Sequence, residues 1–264
     1  MRNQRRPGWE GFGRYVVRAA DGAVNLTLLA AILILLAYGV YGLWDSRQVY
    51  AKADSSDYAI YKPEEEKESF DELRAINPEV FGWLTVYGTY IDYPLTQAED
   101  NDKYVNTDAK GAYSLSGSIF LDCVNKKDFS DPVSILYGHD MVEHKMFGDL
   151  AEFEKKSYFD SHQYGKVYFE DEWHGIEFFA FLSADAYDKS VYAPGTAAPE
   201  LPSYVERLKG RAEHVREMEF APKDHVVLLS TCTKGSTNGR HILAGKITDQ
   251  VQTDPFEQSG KEKE

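Results

Sequence analysis

The feature that most constrains this chain is a stretch of 23 residues, residues 22–44, without a single charged side chain. As an α-helix with a rise of 1.5 Å per residue, this stretch would be about 34 Å long, enough to cross a hydrocarbon core of about 30 Å. Tyr38, Tyr41 and Trp44 cluster towards one end of it, as aromatic side chains do at a membrane interface. The stretch therefore predicts a transmembrane anchor.

Two other interpretations of this stretch are a buried core helix and a cleaved signal peptide. A core helix of this length would be expected to carry at least one charge. A signal peptide has a candidate cleavage site at Ala51-Lys52-Ala53, but the apolar region of such a peptide normally has only about 7–15 residues. Asp45 and Arg47 also separate the stretch from that site. We therefore expect an uncleaved anchor.

The charges are distributed asymmetrically around the anchor. Residues 1–21 carry five Arg and two acidic side chains, a net charge of +3, whereas the residues after the anchor carry 24 basic and 41 acidic side chains, a net charge of −17. Because basic residues collect on the cytoplasmic side of membrane helices, we predict a cytoplasmic N-terminus and an extracellular body. So acidic a body argues against a nucleic-acid partner, since phosphate binding needs a cationic face.

We divide the chain into five parts on this basis. They are a cytoplasmic basic N-terminus (residues 1–21), the anchor (22–44), an extracellular stalk (45–68), a folded extracellular domain (69–250) and a polar C-terminal tail (251–264). The chain has only two cysteines, Cys123 and Cys232, too few for the disulfide framework of a small secreted scaffold.

The folded domain is rich in short runs of aromatic and β-branched residues that are typical of β-strands. Eight such runs occur, at residues 81–87, 89–95, 118–123, 133–137, 166–170, 176–183, 225–231 and 241–248. Helical patterns precede the first run and recur at residues 145–153 and within residues 199–214. The pattern predicts one mainly β domain, a mixed and largely antiparallel barrel with helices outside it.

The segment with the most chemical information is residues 226–247, VVLLSTCTKGSTNGRHILAGKI. An apolar strand ends at Cys232, a loop of small and polar residues follows, and Arg240 opens a second apolar strand. A cysteine at a strand end beside such a loop is exposed, which a structural cysteine usually is not. If the two strands pair, Arg240 returns beside Cys232, where it would favour a thiolate or hold the oxyanion formed when a thiolate attacks a carbonyl.

A second apolar strand, in residues 135–141 (ILYGHDM), also ends at a polar residue, His139. Histidine is the side chain best suited to accept a proton from a thiol and return it to an amine near neutral pH. By itself, a histidine at a strand end is commonly an ordinary surface residue. Cysteine, histidine and arginine at three strand ends together predict a cysteine nucleophile.

These residues resemble the signature of the sortases, membrane-anchored cysteine transpeptidases of Gram-positive bacteria. The likeness rests on LLSTC at residues 228–232, the downstream Arg240 and the upstream Gly138-His139; Leu228 stands where the family pattern T-L-x-T-C usually has Thr. The anchor, the YGHDM sequence and a long insert at residues 184–224 resemble class B sortases. The resemblance implies an eight-stranded β-barrel with N-terminal helices and a helix-containing insert between strands 6 and 7.

The resemblance also implies roles for the three strand-end residues. Cys232 matches the nucleophile that forms a thioacyl-enzyme, His139 the general acid and base, and Arg240 the residue that stabilises the oxyanion or positions the substrate. The amide of Thr233, after the nucleophile, is a candidate second oxyanion donor.

Three more positions match groove residues that bind the substrate. Ser230 stands two residues before the nucleophile, and the stretch that runs from Asn101 to Val105 is similar to an N-x-x-Y-L stretch of the family. The insert that should wall this groove contains Tyr187, Tyr192 and Tyr204.

The expected activity is cleavage of a C-terminal sorting signal of the NP-x-T-x type after Thr, followed by transfer of the exported protein to an amine of the cell-wall precursor. One alternative is a pilin-polymerising sortase with a lysine acceptor, and another is a non-catalytic, membrane-tethered binding module. No cofactor is implied. A zinc site is not expected either, because the sequence H-D-M-V-E-H has one residue too many for the H-x-x-E-H motif.

Overall fold

The computed structural model describes residues 9–63, 68–192, 194, 200–232 and 238–257. The chain forms two compact units, with the boundary between Gln48 and Val49. The first unit consists of most of helix α1 (Trp9–Lys52), which has 44 residues. This is the one helix in the described ranges that is long and apolar enough to cross a membrane. It extends beyond the predicted anchor at both ends.

The second unit holds all the strands. Its strands are β1 (Val80–Val86), β2 (Asp92–Thr96), β3 (Ile119–Leu121), β4 (Val133–Tyr137), β5 (Tyr164–Phe169), β6 (Glu172–Asp185), β7 (His214–Val215), β8 (His225–Cys232) and β9 (Gly239–Thr248). Its α-helices are α2 (Glu68–Ile76), α3 (Lys156–Ser161) and α4 (Leu201–Lys209), and short 3-10 helices span Ser55–Asp57, Ala59–Tyr61, Lys103–Val105 and Gly148–Glu154.

Eight of these strands close into a barrel. Their order is β5-β1-β2-β3-β4-β8-β9-β6, and β6 pairs back onto β5; the two-residue strand β7 adds to β6. The pairs β2–β3 and β4–β8 are parallel, and the other pairs are antiparallel. The prediction of an eight-stranded, largely antiparallel barrel is confirmed. The predicted helix-containing insert lies between β6 and β8, the sixth and seventh strands of the barrel, and contains α4 and β7.

Strand β8 is apolar at four successive positions because both of its faces are covered. Val227 and Leu229 belong to the hydrophobic cluster inside the barrel, whereas Val226 and Leu228 belong to a second cluster that includes Leu208 of α4. A strand buried on both sides reads as a continuous apolar run rather than an alternation. The insert therefore completes the burial of the strand that ends at Cys232.

Part of the segment that was expected to be a stalk packs into the barrel unit. Residues 45–52 continue helix α1, and Ala53 and Tyr58 are buried in the core of the barrel unit. The hydroxyl of Tyr93 donates a hydrogen bond to the carbonyl oxygen of Ala53 over 2.8 Å. Isolated apolar residues without a period give no strand or helix signal, so this packing could not be predicted from the sequence.

The structure does not contain the α-helix expected at residues 145–153. The backbone of Met146 is left-handed, with φ of 53°, so the chain turns there, and only the 3-10 helix Gly148–Glu154 follows. The apolar spacing of Leu150 and Phe153, both buried, fits a 3-10 turn as well as an α-helix.

Candidate active site

Two parallel strands bring His139 and Cys232 to the same edge of the barrel. In the register of β4 and β8, Tyr137 pairs with Ser230, and the backbone N–H of Gly138 donates to the carbonyl oxygen of Ser230 over 3.2 Å. His139 and Cys232 each follow this pair by two residues. Because parallel strands end at the same edge of a sheet, the two backbones leave the barrel side by side.

Arg240 joins them through the antiparallel pairing of β8 and β9. Cys232 and Arg240 are directly opposite each other in the register, as the sequence predicted for a hairpin. The loop between them, residues 233–237, lies outside the described residues, and so does the predicted oxyanion donor Thr233. The guanidinium of Arg240 donates to the carbonyl oxygen of Gly239 over 2.9 Å.

A groove of about 320 Å³ opens at this edge of the barrel. Five of the predicted site residues line it: Asn101, Val105, His139, Ser230 and Arg240. Tyr192 of the insert, which was expected to wall the groove, also lines it. The lining residues that sequence reasoning did not assign are Ser118, Phe120, Tyr137, Gly138, Ala186 and Thr231. The structure therefore brings together residues that are up to 139 positions apart in the sequence.

The imidazole of His139 is held by a second residue that lines the groove, Val105. Its Nε2 lies 2.8 Å from the carbonyl oxygen of Val105. A carbonyl oxygen can only accept, so Nε2 carries a proton and Nδ1 is the ring atom left to exchange one. The contact joins residues 34 positions apart in the sequence, and no local sequence signal could have revealed it.

The loop that carries His139 is fixed at several points. The backbone N–H of Phe147 donates to the carbonyl oxygen of His139 over 2.9 Å, and the N–H of Met146 donates to the hydroxyl of Tyr93 over 3.0 Å. The Lys145 ammonium forms an ion pair with Asp54. Residues 138–148 are thus braced by strand β2 and by the segment that follows helix α1.

Gly148 allows this loop to close. A Cβ atom at Gly148 would lie 2.1 Å from the carbonyl oxygen of Met141. Because that oxygen belongs to the backbone, only a shift of the whole loop can relieve the clash. We expect Gly148→Ala to lower the free energy of unfolding by about 1–3 kcal/mol and to lower kcat for the reaction proposed below. Thermal unfolding and steady-state kinetics measure both effects.

Gly210→Ala is the matched control for this prediction. Its backbone φ is −64°, and the nearest atom to an added Cβ is 3.4 Å away, an ordinary contact. If Gly148→Ala were as stable and as active as Gly210→Ala, the close packing of the His139 loop would contribute neither to stability nor to catalysis.

The insert contributes Tyr192 to the groove. Its hydroxyl lies 2.8 Å from the hydroxyl of Ser230, which is almost fully buried. Of the other two insert tyrosines, Tyr204 is buried, with its hydroxyl on the carbonyl oxygen of Val191, and Tyr187 is exposed. The prediction that the insert walls the groove therefore applies to Tyr192.

The site has the parts needed for acyl transfer through a thioester. The backbone register sets Cys232 opposite Arg240, which lines the groove together with His139. Thiol, imidazole and guanidinium are the groups that such a transfer uses. Within the described part of the chain, no group of three or more His, Cys, Asp or Glu side chains is arranged to hold a metal ion.

Comparison with known proteins gives relatives over most of the chain, although no family model matches it. Sortase B of Listeria monocytogenes is 30% identical over 212 residues, which are 77% of this chain and 82% of the relative. A solved sortase B from the type II pilus of Streptococcus pneumoniae is 43% identical, with a TM-score of 0.60 over 69% of this chain and 99% of its own. A Streptococcus pyogenes class B sortase involved in pilus biogenesis is 40% identical, with a TM-score of 0.62 over 67% and 97%.

Proposed function

Because this chain belongs to the class B sortases, and is therefore a cysteine transpeptidase, we propose that it cleaves a C-terminal sorting signal of the NP-x-T-x type after Thr. A second step would pass the exported protein to an amine. The observation that supports this most directly is the register that sets Cys232 opposite Arg240, with His139 on the neighbouring parallel strand. Because the chain belongs to an enzyme family, we do not propose the alternative function of a non-catalytic binding module.

In the proposed reaction, His139 accepts the thiol proton of Cys232, and the resulting thiolate attacks the carbonyl carbon of the signal's Thr. The C–N bond breaks, His139 protonates the leaving amine, and the acyl group remains on sulfur as a thioester. The acceptor amine then loses a proton to His139 and attacks the thioester, so that a new amide forms and the Cys232 sulfur is released. Arg240, and the amide of Thr233, would stabilise the two oxyanions.

The acceptor amine is open to two proposals. Family precedent suggests an amine of the cell-wall precursor. The two pilus sortases share 43% and 40% identity with this chain, against 30% for the Listeria sortase B, and this favours a lysine of a pilin subunit. We therefore put the pilin lysine first and keep the wall precursor as the second candidate.

One incubation separates the two acceptors. Purified protein is mixed with a lysine-containing protein that ends in an NP-x-T-x signal, with and without a small peptide amine that mimics the wall precursor. A pilin-type enzyme is expected to give a ladder of covalent oligomers with the new isopeptide bond on lysine by mass spectrometry. A wall-anchoring enzyme would give a single adduct with the added amine. Absence of any cleavage from a full signal library would contradict the proposed activity.

We further propose that helix α1 anchors the enzyme in the cell membrane. The charge-free residues 22–44 would span the bilayer, the basic residues 1–21 would remain in the cytoplasm, and the barrel unit would be extracellular. The support is the length and apolar character of the helix and the arginines before it. Protease added to intact cells should digest an epitope in the tail at residues 251–264 and leave one at residues 1–21 intact.

A further inference from the structure

A buried carboxylate lies behind the groove and has no part in the reaction proposed above. Asp122 is 5% exposed and follows strand β3 directly. One of its oxygens accepts from the backbone N–H of Val124 over 3.1 Å. The other accepts from two groove residues, from the hydroxyl of Tyr137 over 2.9 Å and from the side-chain amide of Asn101 over 3.2 Å.

These contacts fix which way the Asn101 amide faces. Its Oδ1 accepts from the backbone N–H of Cys123 over 2.8 Å, while its Nδ2 donates to Asp122. A flipped amide would set its NH₂ group against the N–H of Cys123 and its oxygen against the carboxylate, two repulsive contacts in place of two hydrogen bonds. Asn101 lines the groove, so the second N–H of its Nδ2 remains to serve a ligand there.

We propose that Asp122 is a positioning residue for substrate, which holds the Asn101 amide so that it presents a hydrogen-bond donor to a carbonyl oxygen of the sorting signal. The inference rests on the proposed function. It adds that, in the hydrogen bond between Asn101 and the sorting signal, Asn101 is the donor. A donor at this place selects an acceptor on the peptide, whereas an inverted amide would repel it.

Tyr137 secures the same arrangement from the other side. Burial, and then the neighbouring Asp122 carboxylate, raise the pKa of the Tyr137 hydroxyl, so that it remains protonated and donates. Its ring packs beside Phe120, with 5.4 Å between the ring centroids. Asp122 thus receives donors from two walls of the groove, and the position of Asn101 is tied to that of strand β4.

The first test is Asp122→Asn in the full-length protein, with a sorting-signal peptide as the probe. The new amide would turn its own NH₂ group towards Asn101, and we expect KM to rise about tenfold, with kcat within about twofold of wild type. The rate at which iodoacetamide alkylates Cys232, followed by mass spectrometry, should stay unchanged, because no reacting group is altered. Asp102→Asn is the matched control. It removes the same negative charge beside Asn101, but the Asp102 carboxylate is exposed and does not hold the Asn101 amide.

The second test exchanges the two side chains, as Asn101→Asp with Asp122→Asn. This pair can form the same hydrogen bond with donor and acceptor reversed, so thermal stability should return to within a degree or two of wild type. The groove would now face an acceptor instead of a donor, so KM should remain about tenfold high. A general loss of packing predicts the opposite, because the exchange would then restore KM along with stability.

Two results would overturn the inference. One is a wild-type KM in Asp122→Asn, and the other is recovery of KM in the exchanged pair. A signal peptide with a non-cleavable bond at Thr separates the role of Asp122 from the proposed activity. Its binding to the same variants is measured by calorimetry. If wild type bound the peptide but never cleaved it, the activity would be wrong, while a tenfold weaker Kd in Asp122→Asn would still support the role of Asp122.

Discussion

Replacing Cys232 with alanine is expected to lower the turnover of a sorting signal roughly 10⁴-fold or more, because the covalent path through a thioester is lost entirely. The backbone of residue 232 is paired with Arg240, and alanine keeps that pairing, so the variant should fold as wild type does. The measurement is the release of the C-terminal product from a fluorogenic signal peptide, together with thermal unfolding as a check on the fold.

Cys123→Ala is the matched control for this prediction. Burial, and then the neighbouring Asp122 carboxylate, raise the pKa of the Cys123 thiol, which keeps it in the less nucleophilic form. Its contact with Asn101 is made by the backbone N–H, which alanine retains. We expect activity within about twofold of wild type. Near-wild-type turnover in Cys232→Ala, or equal loss in both variants, would show that the nucleophile has been assigned wrongly.

Arg240→Lys is expected to lower kcat about 100-fold, and Arg240→Ala about 1,000-fold, since removal of one oxyanion donor typically costs that much. Lysine keeps the positive charge but not the planar fork that can contact the oxyanion and a neighbouring carbonyl together. The effect should fall on kcat more than on KM, because the oxyanion exists only in the transition states and intermediates. Steady-state kinetics on the same signal peptide distinguishes the two.

The control is Arg207→Lys, on the exposed side of helix α4, which makes the same substitution on the surface of the insert. It should leave both kinetic constants unchanged. An Arg240→Lys enzyme with a raised KM and a normal kcat would assign Arg240 to substrate positioning instead of oxyanion stabilisation.

The sequence was sufficient to predict the barrel because each strand carries its own local signal. The run that ends in Cys232 and the run that begins at Arg240 are both apolar and are parted by a short polar loop, so their antiparallel pairing follows from a hairpin. The parallel pairing of β4 with β8 does not follow in this way. It depends on a connection of 87 residues between Tyr137 and His225, and only the family resemblance suggested that His139 would reach the same edge.

The parts of the site that sequence reasoning missed are contacts between separate segments of the chain. The bond from His139 to the carbonyl oxygen of Val105 and the bonds of Asp122 with Asn101 and Tyr137 join segments without any shared period or motif. From the sequence alone, a single aspartate after a short strand, such as Asp122, predicts only a turn. Its burial is visible only once β3 and β4 are paired.

The burial of Ala53 has a consequence for how the protein is made. Ala53 closes the candidate signal-peptidase motif at residues 51–53, yet its side chain is fully buried in the domain, and its carbonyl oxygen receives the Tyr93 hydroxyl that also holds Met146. A peptidase that requires an extended strand could reach this bond only before the domain has folded. Once the barrel has closed, the fold protects this bond, which favours the expected uncleaved anchor.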